Sequence, residues 1–124
     1  MPRVTLSEHP VIASPYGRWQ NLTSSLQLDA LGVNAVVIEP GEEIDIAHDE
    51  ADTGQQEVYV VVSGRAQFTI GDELVEAGPG TVVSAPDPAL TRSYRALAPD
   101  TRIVCVGSAT GTSPQAFGEW IQPA

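Results

Sequence analysis

The feature that most constrains this chain is a series of short β-rich runs separated by turn-forming residues. The runs recur from Val33 onward at intervals of about ten residues, and no extended helical periodicity interrupts them. Residues that favour turns close them, as at Ser63-Gly64 and Gly71-Asp72. The pattern is typical of a β-sandwich or barrel and predicts an all-β fold. The predicted strands are 34–39, 57–62, 65–70, 73–76, 81–84, 90–96 and 102–107.

The segments on either side of these runs carry weaker signals. Residues 1–32 contain three prolines and are expected to run extended along the outside, with a short helical turn over Ser24–Gly32. Residues 108–124 are expected to form a C-terminal tail. A chain of 124 residues suffices for one core, so we expect a single domain whose barrel occupies about 33–107.

The composition argues against several classes of partner. The net charge is −10, whereas a nucleic-acid binder needs a basic surface, so nucleic acid and anionic membranes are not expected partners. The single cysteine, Cys105, cannot form an internal disulfide. Neither a secretory signal nor an apolar run of about 20 residues is apparent. We therefore expect a cytoplasmic protein.

Acidic residues concentrate in one stretch of the chain. Two interpretations are open, a solvated loop that keeps the protein in solution and a rim that faces a cation. The residues are Glu39, Glu42, Glu43, Asp45, Asp49, Glu50 and Asp52.

The predicted strand 57–62 indicates that both faces of its sheet are covered. Side chains alternate between the faces, so Glu57, Tyr59 and Val61 share one face and three valines share the other. Both sets are largely apolar. One face can line a barrel, and the other is expected to meet either the N-terminal segment or a second subunit. This is the reason to expect a homodimer.

The spacing of several residues resembles the two sequence motifs of the cupin superfamily. The first motif contains a glycine, a His-x-His pair, a glutamate and a second glycine, and here Gly41, His48, Glu57 and Gly64 stand at comparable distances. In the second motif Gly80 and Pro86 are in register. The resemblance covers about 33–107 and implies a jelly-roll β-barrel with a central pocket.

The same resemblance shows a depleted set of metal ligands. Cupin centres hold a divalent transition metal with two or three imidazoles and a carboxylate. This chain has two histidines, and His9 lies outside the motifs. In the second motif Pro88 stands where glycine is usual and Thr91 where the last imidazole is usual.

Two alignments of the first motif are open. Either Glu50 and Asp52 occupy the imidazole positions, or His48 is a ligand and the loop 49–56 carries an insertion. The best ligand set is then His48, Glu50 and Glu57. One imidazole with carboxylates would hold a divalent cation weakly, so we expect no tightly bound cofactor.

The candidate pocket residues each have a plain structural interpretation. His48 fits a hydrogen-bonded loop residue, and Cys105 a small buried one. A buried Glu57 needs a partner, which Arg95 or Arg92 could supply. If Thr91 faces inward, so do Ser93 and Arg95, whereas a shift of one residue turns Arg92 and Tyr94 inward. The expected pocket comprises His48, Glu50, Glu57, Tyr59, Thr91, Ser93, Arg95 and Cys105.

Three functions follow from these observations. The first is a pocket that binds a small organic molecule without a tightly bound metal. The second, which the resemblance implies, is a metal-dependent dioxygenase, isomerase or decarboxylase that uses His48 and Glu57. The third is metal-free acid–base catalysis by Glu57 with Tyr59 or His48. Trp19 and Trp120 are expected to cover apolar surface rather than to line a site.

Overall fold

Nine β-strands make up the described part of this computed structural model, which covers residues 1–14, 17–42 and 47–109. A short 3₁₀ helix, Leu6–Glu8, precedes them. The all-β prediction is confirmed. The strands are β1 (Ile12–Ser14), β2 (Gly17–Asn21), β3 (Gly32–Ile38), β4 (Gln55–Ser63), β5 (Ala66–Ile70), β6 (Glu73–Ala77), β7 (Val82–Ala85), β8 (Arg92–Ala96) and β9 (Thr101–Ala109).

The strands form two antiparallel sheets. One has six strands in the order β1-β2-β3-β9-β4-β7, and the other has three in the order β6-β5-β8. Side chains of strands β3 to β9 face a shared core, where Val61, Phe68 and Ile103 are fully buried. The site described below lies at one end of this core.

Strands β3 to β9 correspond closely to the seven predicted runs. Their turn residues and β-branched composition were sufficient to place them. Strands β1 and β2 were not predicted as strands, because the segment is rich in polar residues and interrupted by proline. Strand β2 is stabilised by pairing with the apolar strand β3. Its residues Arg18 to Asn21 lie antiparallel to Val37 to Asn34.

The predicted helical turn over Ser24–Gly32 is matched only at its start. Residues 23–27 form hydrogen-bonded turns, in which the amide of Leu26 donates to the carbonyl of Leu22 over 2.9 Å. Gln27 then adopts a φ of 57°, which ends any helix, and Gly32 begins β3 instead of closing a helix. The leucines of this segment determine its position more than helix-forming residues do. Leu22, Leu26 and Leu28 pack on the outer face of β3 and β9.

The outer face of the six-stranded sheet is only partly covered. The N-terminal segment packs over Val33, Val104 and Val106. Farther along the sheet, Val62 is 42% exposed and Val82 is 59% exposed. Among the described residues, no helix is long and apolar enough to cross a membrane.

Candidate functional site

A cavity of about 240 Å³ lies beside Glu57, lined by residues of both sheets. Strands β2, β3, β4 and β9 contribute from the large sheet, β8 contributes from the small one, and the segment before β4 adds two polar side chains. The lining therefore combines aromatic rings with groups that can donate or accept hydrogen bonds. Its members are Trp19, Asn34, His48, Glu50, Gln55, Glu57, Tyr59, Tyr94 and Cys105.

Strand β4 places three of these side chains on one face. Gln55, Glu57 and Tyr59 alternate along the strand and all line the cavity. Gly107 of β9 pairs with Glu57, and a Cβ atom there would lie 2.9 Å from Gln55 Oε1 and 3.4 Å from Glu57 Cγ. The absence of a side chain at Gly107 thus leaves room for the two polar groups.

Glu57 is the centre of the polar contacts. Its Oε1 accepts a hydrogen bond of 3.2 Å from the Tyr59 hydroxyl, and its Oε2 accepts one of 3.2 Å from the Cys105 thiol. Oε1 also lies 3.7 Å from His48 Nε2 and 3.7 Å from Arg92 Nη1. Since Glu57 is only 9% exposed, these four groups provide the partners that a buried carboxylate requires.

Three aromatic rings form one wall beside this carboxylate. Tyr59, Phe68 and Tyr94 pack with ring centroids 5.4 to 5.6 Å apart. Burial raises the pKa of both tyrosines above the ordinary value. The charge of Glu57 raises the pKa of Tyr59 further, and the neighbouring Cys105 does the same for Tyr94. Both hydroxyls therefore stay protonated at neutral pH, and that of Tyr59 donates a hydrogen bond to Glu57.

Cys105 behaves as a buried thiol. Burial raises its pKa well above the ordinary value, and the nearby Glu57 carboxylate raises it further. The thiolate fraction at neutral pH is correspondingly small, which disfavours a nucleophilic role. Cys105 instead donates a hydrogen bond from its thiol to Glu57.

The loop before β4 brings two further predicted residues to the same place. His48 Nε2 lies 3.1 Å from Glu50 Oε1. The backbone of His48 pairs with that of Arg92 in an isolated bridge, and the amide of Glu50 donates to the carbonyl of Pro88 over 2.8 Å. These backbone bonds attach the loop to the small sheet and fix both side chains near Glu57.

The residues suggested as metal ligands converge, but the charge around them suits a divalent ion poorly. One ligand atom from each of His48, Glu50 and Glu57 lies within 4.8 Å of the others. Against this, the Arg92 guanidinium is 1% exposed and has two buried nitrogens, Nε and Nη1, without a hydrogen-bond partner. A fixed positive charge already faces the Glu57 oxygen that would bind the ion, and an arginine does not release its proton. The set offers an ion one imidazole and two carboxylates, which is few nitrogen donors for a transition metal.

Three predicted pocket residues lie elsewhere. Thr91, just before β8, and Arg95 are exposed, Ser93 is half-buried, and none of them lines the cavity. Of the two frames considered for this strand, the structure has the one in which Arg92 and Tyr94 face inward. Arg95 donates instead to Gln67 on the outer side of the small sheet, over 2.9 Å.

Trp19, Asn34, Gln55 and Tyr94 line the cavity although the sequence pattern did not assign them to it. Trp19 does pack against the apolar core, as expected, but it also lines the cavity, which was not expected. Asn34 did carry a usable signal, because it is the polar member of an alternating set with Val36 and Ile38 on an otherwise apolar strand. Trp120 lies outside the described residues.

His9 lies away from the cavity, as its position outside the motifs predicted. Its Nε2 is 2.9 Å from the Ser25 hydroxyl in an exposed contact.

Comparison with known proteins gives a structural likeness without a sequence match. No protein-family model and no curated protein sequence matches the chain. The cupin domain of Cnp3 from Schizosaccharomyces pombe superposes with a TM-score of 0.71 at 10% identity, covering 92% of this chain and 78% of that one.

Two solved enzyme structures show the same likeness. A cupin-superfamily sugar phosphate isomerase from Silicibacter pomeroyi has a TM-score of 0.67 at 20% identity, covering 88% of this chain and 76% of that one. The nucleoside dehydratase Pac13 from Streptomyces, which is also solved with uridine, has a TM-score of 0.63 at 20% identity, covering 86% and 80%. At these identities the likeness establishes architecture. The two-sheet, all-β chain described here therefore has the cupin fold.

Proposed function

We propose that the cavity beside Glu57 binds a small, uncharged organic molecule that carries hydroxyl or amide groups. The observation that carries this proposal is the lining itself, in which aromatic rings and convergent polar groups surround a concave pocket. Asn34 adds to it, because its Oδ1 is buried without a hydrogen-bond partner and can accept from a ligand.

The charges around the cavity favour a neutral ligand over an anionic one. The carboxylates of Glu50 and Glu57 both line it, whereas the buried Arg92 contacts Glu57 and does not line it. A phosphate or carboxylate group would meet two like charges at close range. The volume of about 240 Å³ lies below the usual range of roughly 300–1,000 Å³ for ligand pockets, which suits a monosaccharide or a nucleobase.

The solved neighbours supply probes for this proposal. Pac13 is solved with uridine, and the Silicibacter protein is named as an enzyme of sugar phosphates. Thermal shift and native mass spectrometry would compare uridine with uridine monophosphate, and a neutral monosaccharide with its phosphate ester. We expect binding of a neutral member of at least one pair and weaker or no binding of its phosphate.

Substitution at Asn34 tests whether that binding uses the cavity. Asn34→Leu keeps the number and branching of the side-chain heavy atoms and removes the free acceptor, so we expect affinity for the neutral probe to fall about tenfold. Gln67→Leu, on the outer side of the small sheet, is the matched control and should bind as the wild type does. Equal affinity of the Asn34 variant, or binding of the phosphates alone, would refute the proposal.

The alternative function is a metal-dependent cupin enzyme. The close approach of His48, Glu50 and Glu57 favours it, since these atoms could contact one ion. The buried guanidinium beside Glu57 and the shortage of imidazoles are the reasons for ranking it second.

We also propose a cytoplasmic homodimer. The exposed valines on β4 and β7, Val62 and Val82, support a subunit contact on the outer face of the large sheet. Light scattering that gives the mass of one chain at micromolar concentration would contradict the dimer, and recovery in a membrane or secreted fraction would contradict the location.

A further inference from the structure

Arg92 is held in the core by contacts from three directions. Its Nη2 donates to the carbonyl oxygens of Ala85 and Asp87, over 3.3 and 3.1 Å. Its backbone exchanges two hydrogen bonds with His48, of 2.8 and 3.1 Å. Within the described residues its one ion pair is with Glu57, at 3.7 Å. Strand and loop together fix the guanidinium next to that carboxylate.

The Arg92 guanidinium lies close to where an ion bound by Glu57 would lie. An ion coordinated at about 2.1 Å from Glu57 Oε1 would lie within about 6 Å of Arg92 Nη1, since that nitrogen is 3.7 Å from the same oxygen. Both cations would compete for one carboxylate in a site where water screens charge weakly. Arginine is not deprotonated in proteins, so the guanidinium keeps its charge when a metal ion approaches.

The unpartnered nitrogens of Arg92 support the same conclusion. Nε and Nη1 are buried and form no hydrogen bond. A buried charge is costly unless another charge offsets it. The two hydrogen bonds of Nη2 leave Nε and Nη1 unpaired, so attraction to the Glu57 carboxylate is what offsets the charge of the guanidinium.

We propose that Arg92 is a built-in cation that takes the place of a divalent metal beside Glu57 and keeps the cavity free for an organic ligand. This inference rests on the metal-free part of the proposed function and explains it. Arg92 is thus a positioning residue, which orients Glu57 and sets what the cavity accepts without lining it.

The test removes the charge and measures metal binding. Arg92→Gln leaves His48, Glu50 and Glu57 without a competing cation. Titration with Zn²⁺ by calorimetry should then show about one equivalent bound, at least ~100-fold more tightly than by the wild type. Arg95→Gln is the matched control, because Arg95 lies on the same strand but faces outward, and it should bind no more Zn²⁺ than the wild type.

Each outcome decides the question. If Arg92→Gln gains no Zn²⁺ while the wild type also binds none, the role of Arg92 is refuted and the proposed function stands. If the wild type binds a full equivalent through His48, both fail. Should Arg92→Gln be unfolded without metal, Zn²⁺ is added during refolding, and recovery of the native circular dichroism at one equivalent supports the proposal. Failure of Zn²⁺ to restore that signal overturns it.

Discussion

Arg92→Leu is expected to lower the free energy of unfolding by ~3–5 kcal/mol, because it leaves the carboxylate of Glu57 buried without its cation. The guanidinium is 1% exposed and lies 3.7 Å from Glu57 Oε1, so little water can replace it. The substitution also frees the carbonyl oxygens of Ala85 and Asp87 that now accept from Nη2. Urea unfolding followed by tryptophan fluorescence measures the loss.

Two companion variants separate the charge effect from a general loss of packing. Glu57→Leu/Arg92→Leu removes both charges, and it should lose less stability than Arg92→Leu alone. Arg95→Leu, an exposed position on the same strand, should stay within ~0.5 kcal/mol of the wild type. A loss below about 1 kcal/mol for Arg92→Leu would mean that the ion pair contributes little to stability.

Gly64→Ala is expected to destabilise the protein by ~3 kcal/mol or more, since it combines backbone strain with a steric clash. Gly64 has a φ of 74°, in the left-handed region that favours glycine. A Cβ atom there would also lie 2.5 Å from Thr101 Cα and 2.8 Å from Thr101 Cβ. Thr101 is fully buried, and its Oγ1 accepts from the amide of Arg65 over 3.1 Å, so it cannot move aside without breaking that bond.

The matched control for Gly64 is Gly80→Ala. Gly80 has a similar φ of 86°, but a Cβ atom added there would have no described neighbour within 4 Å, so only the backbone strain of ~1 kcal/mol applies. The difference in unfolding midpoint between the two variants isolates the contact with Thr101. Equal losses in the two would show that this close approach is not what requires glycine at position 64.

Alternation and turn chemistry predicted most of the fold. Strand β4 is the clearest case, because a period of two fixes which residues share a face, and the set of Glu57, Tyr59 and Val61 does face the core. The same rule left the orientation of β8 open, since alternation gives the period and not the phase. A threonine at the position of a family histidine favoured the frame with Thr91 inward. The structure has the other frame, in which Arg92 is buried and Tyr94 lines the cavity.

Apart from Cys105, the site residues that were predicted correctly lie close together in the sequence. Glu57 and Tyr59 lie on one strand, and the spacing to His48 and Glu50 was enough to suggest that they meet. Trp19 and Asn34 reach the cavity through strand pairing, and Asn34 is opposite Cys105, which is 71 positions later. Such long-range pairs are set by tertiary packing, which a local pattern does not encode.

The most direct test of the central claim is the metal content of the wild-type protein. The chain would be produced in metal-replete medium, purified without chelator and measured by inductively coupled plasma mass spectrometry. The guanidinium at Glu57 predicts less than about 0.1 equivalent of manganese, iron, cobalt, nickel, copper and zinc together. One equivalent of any of them, lost in His48→Ala, would contradict the account.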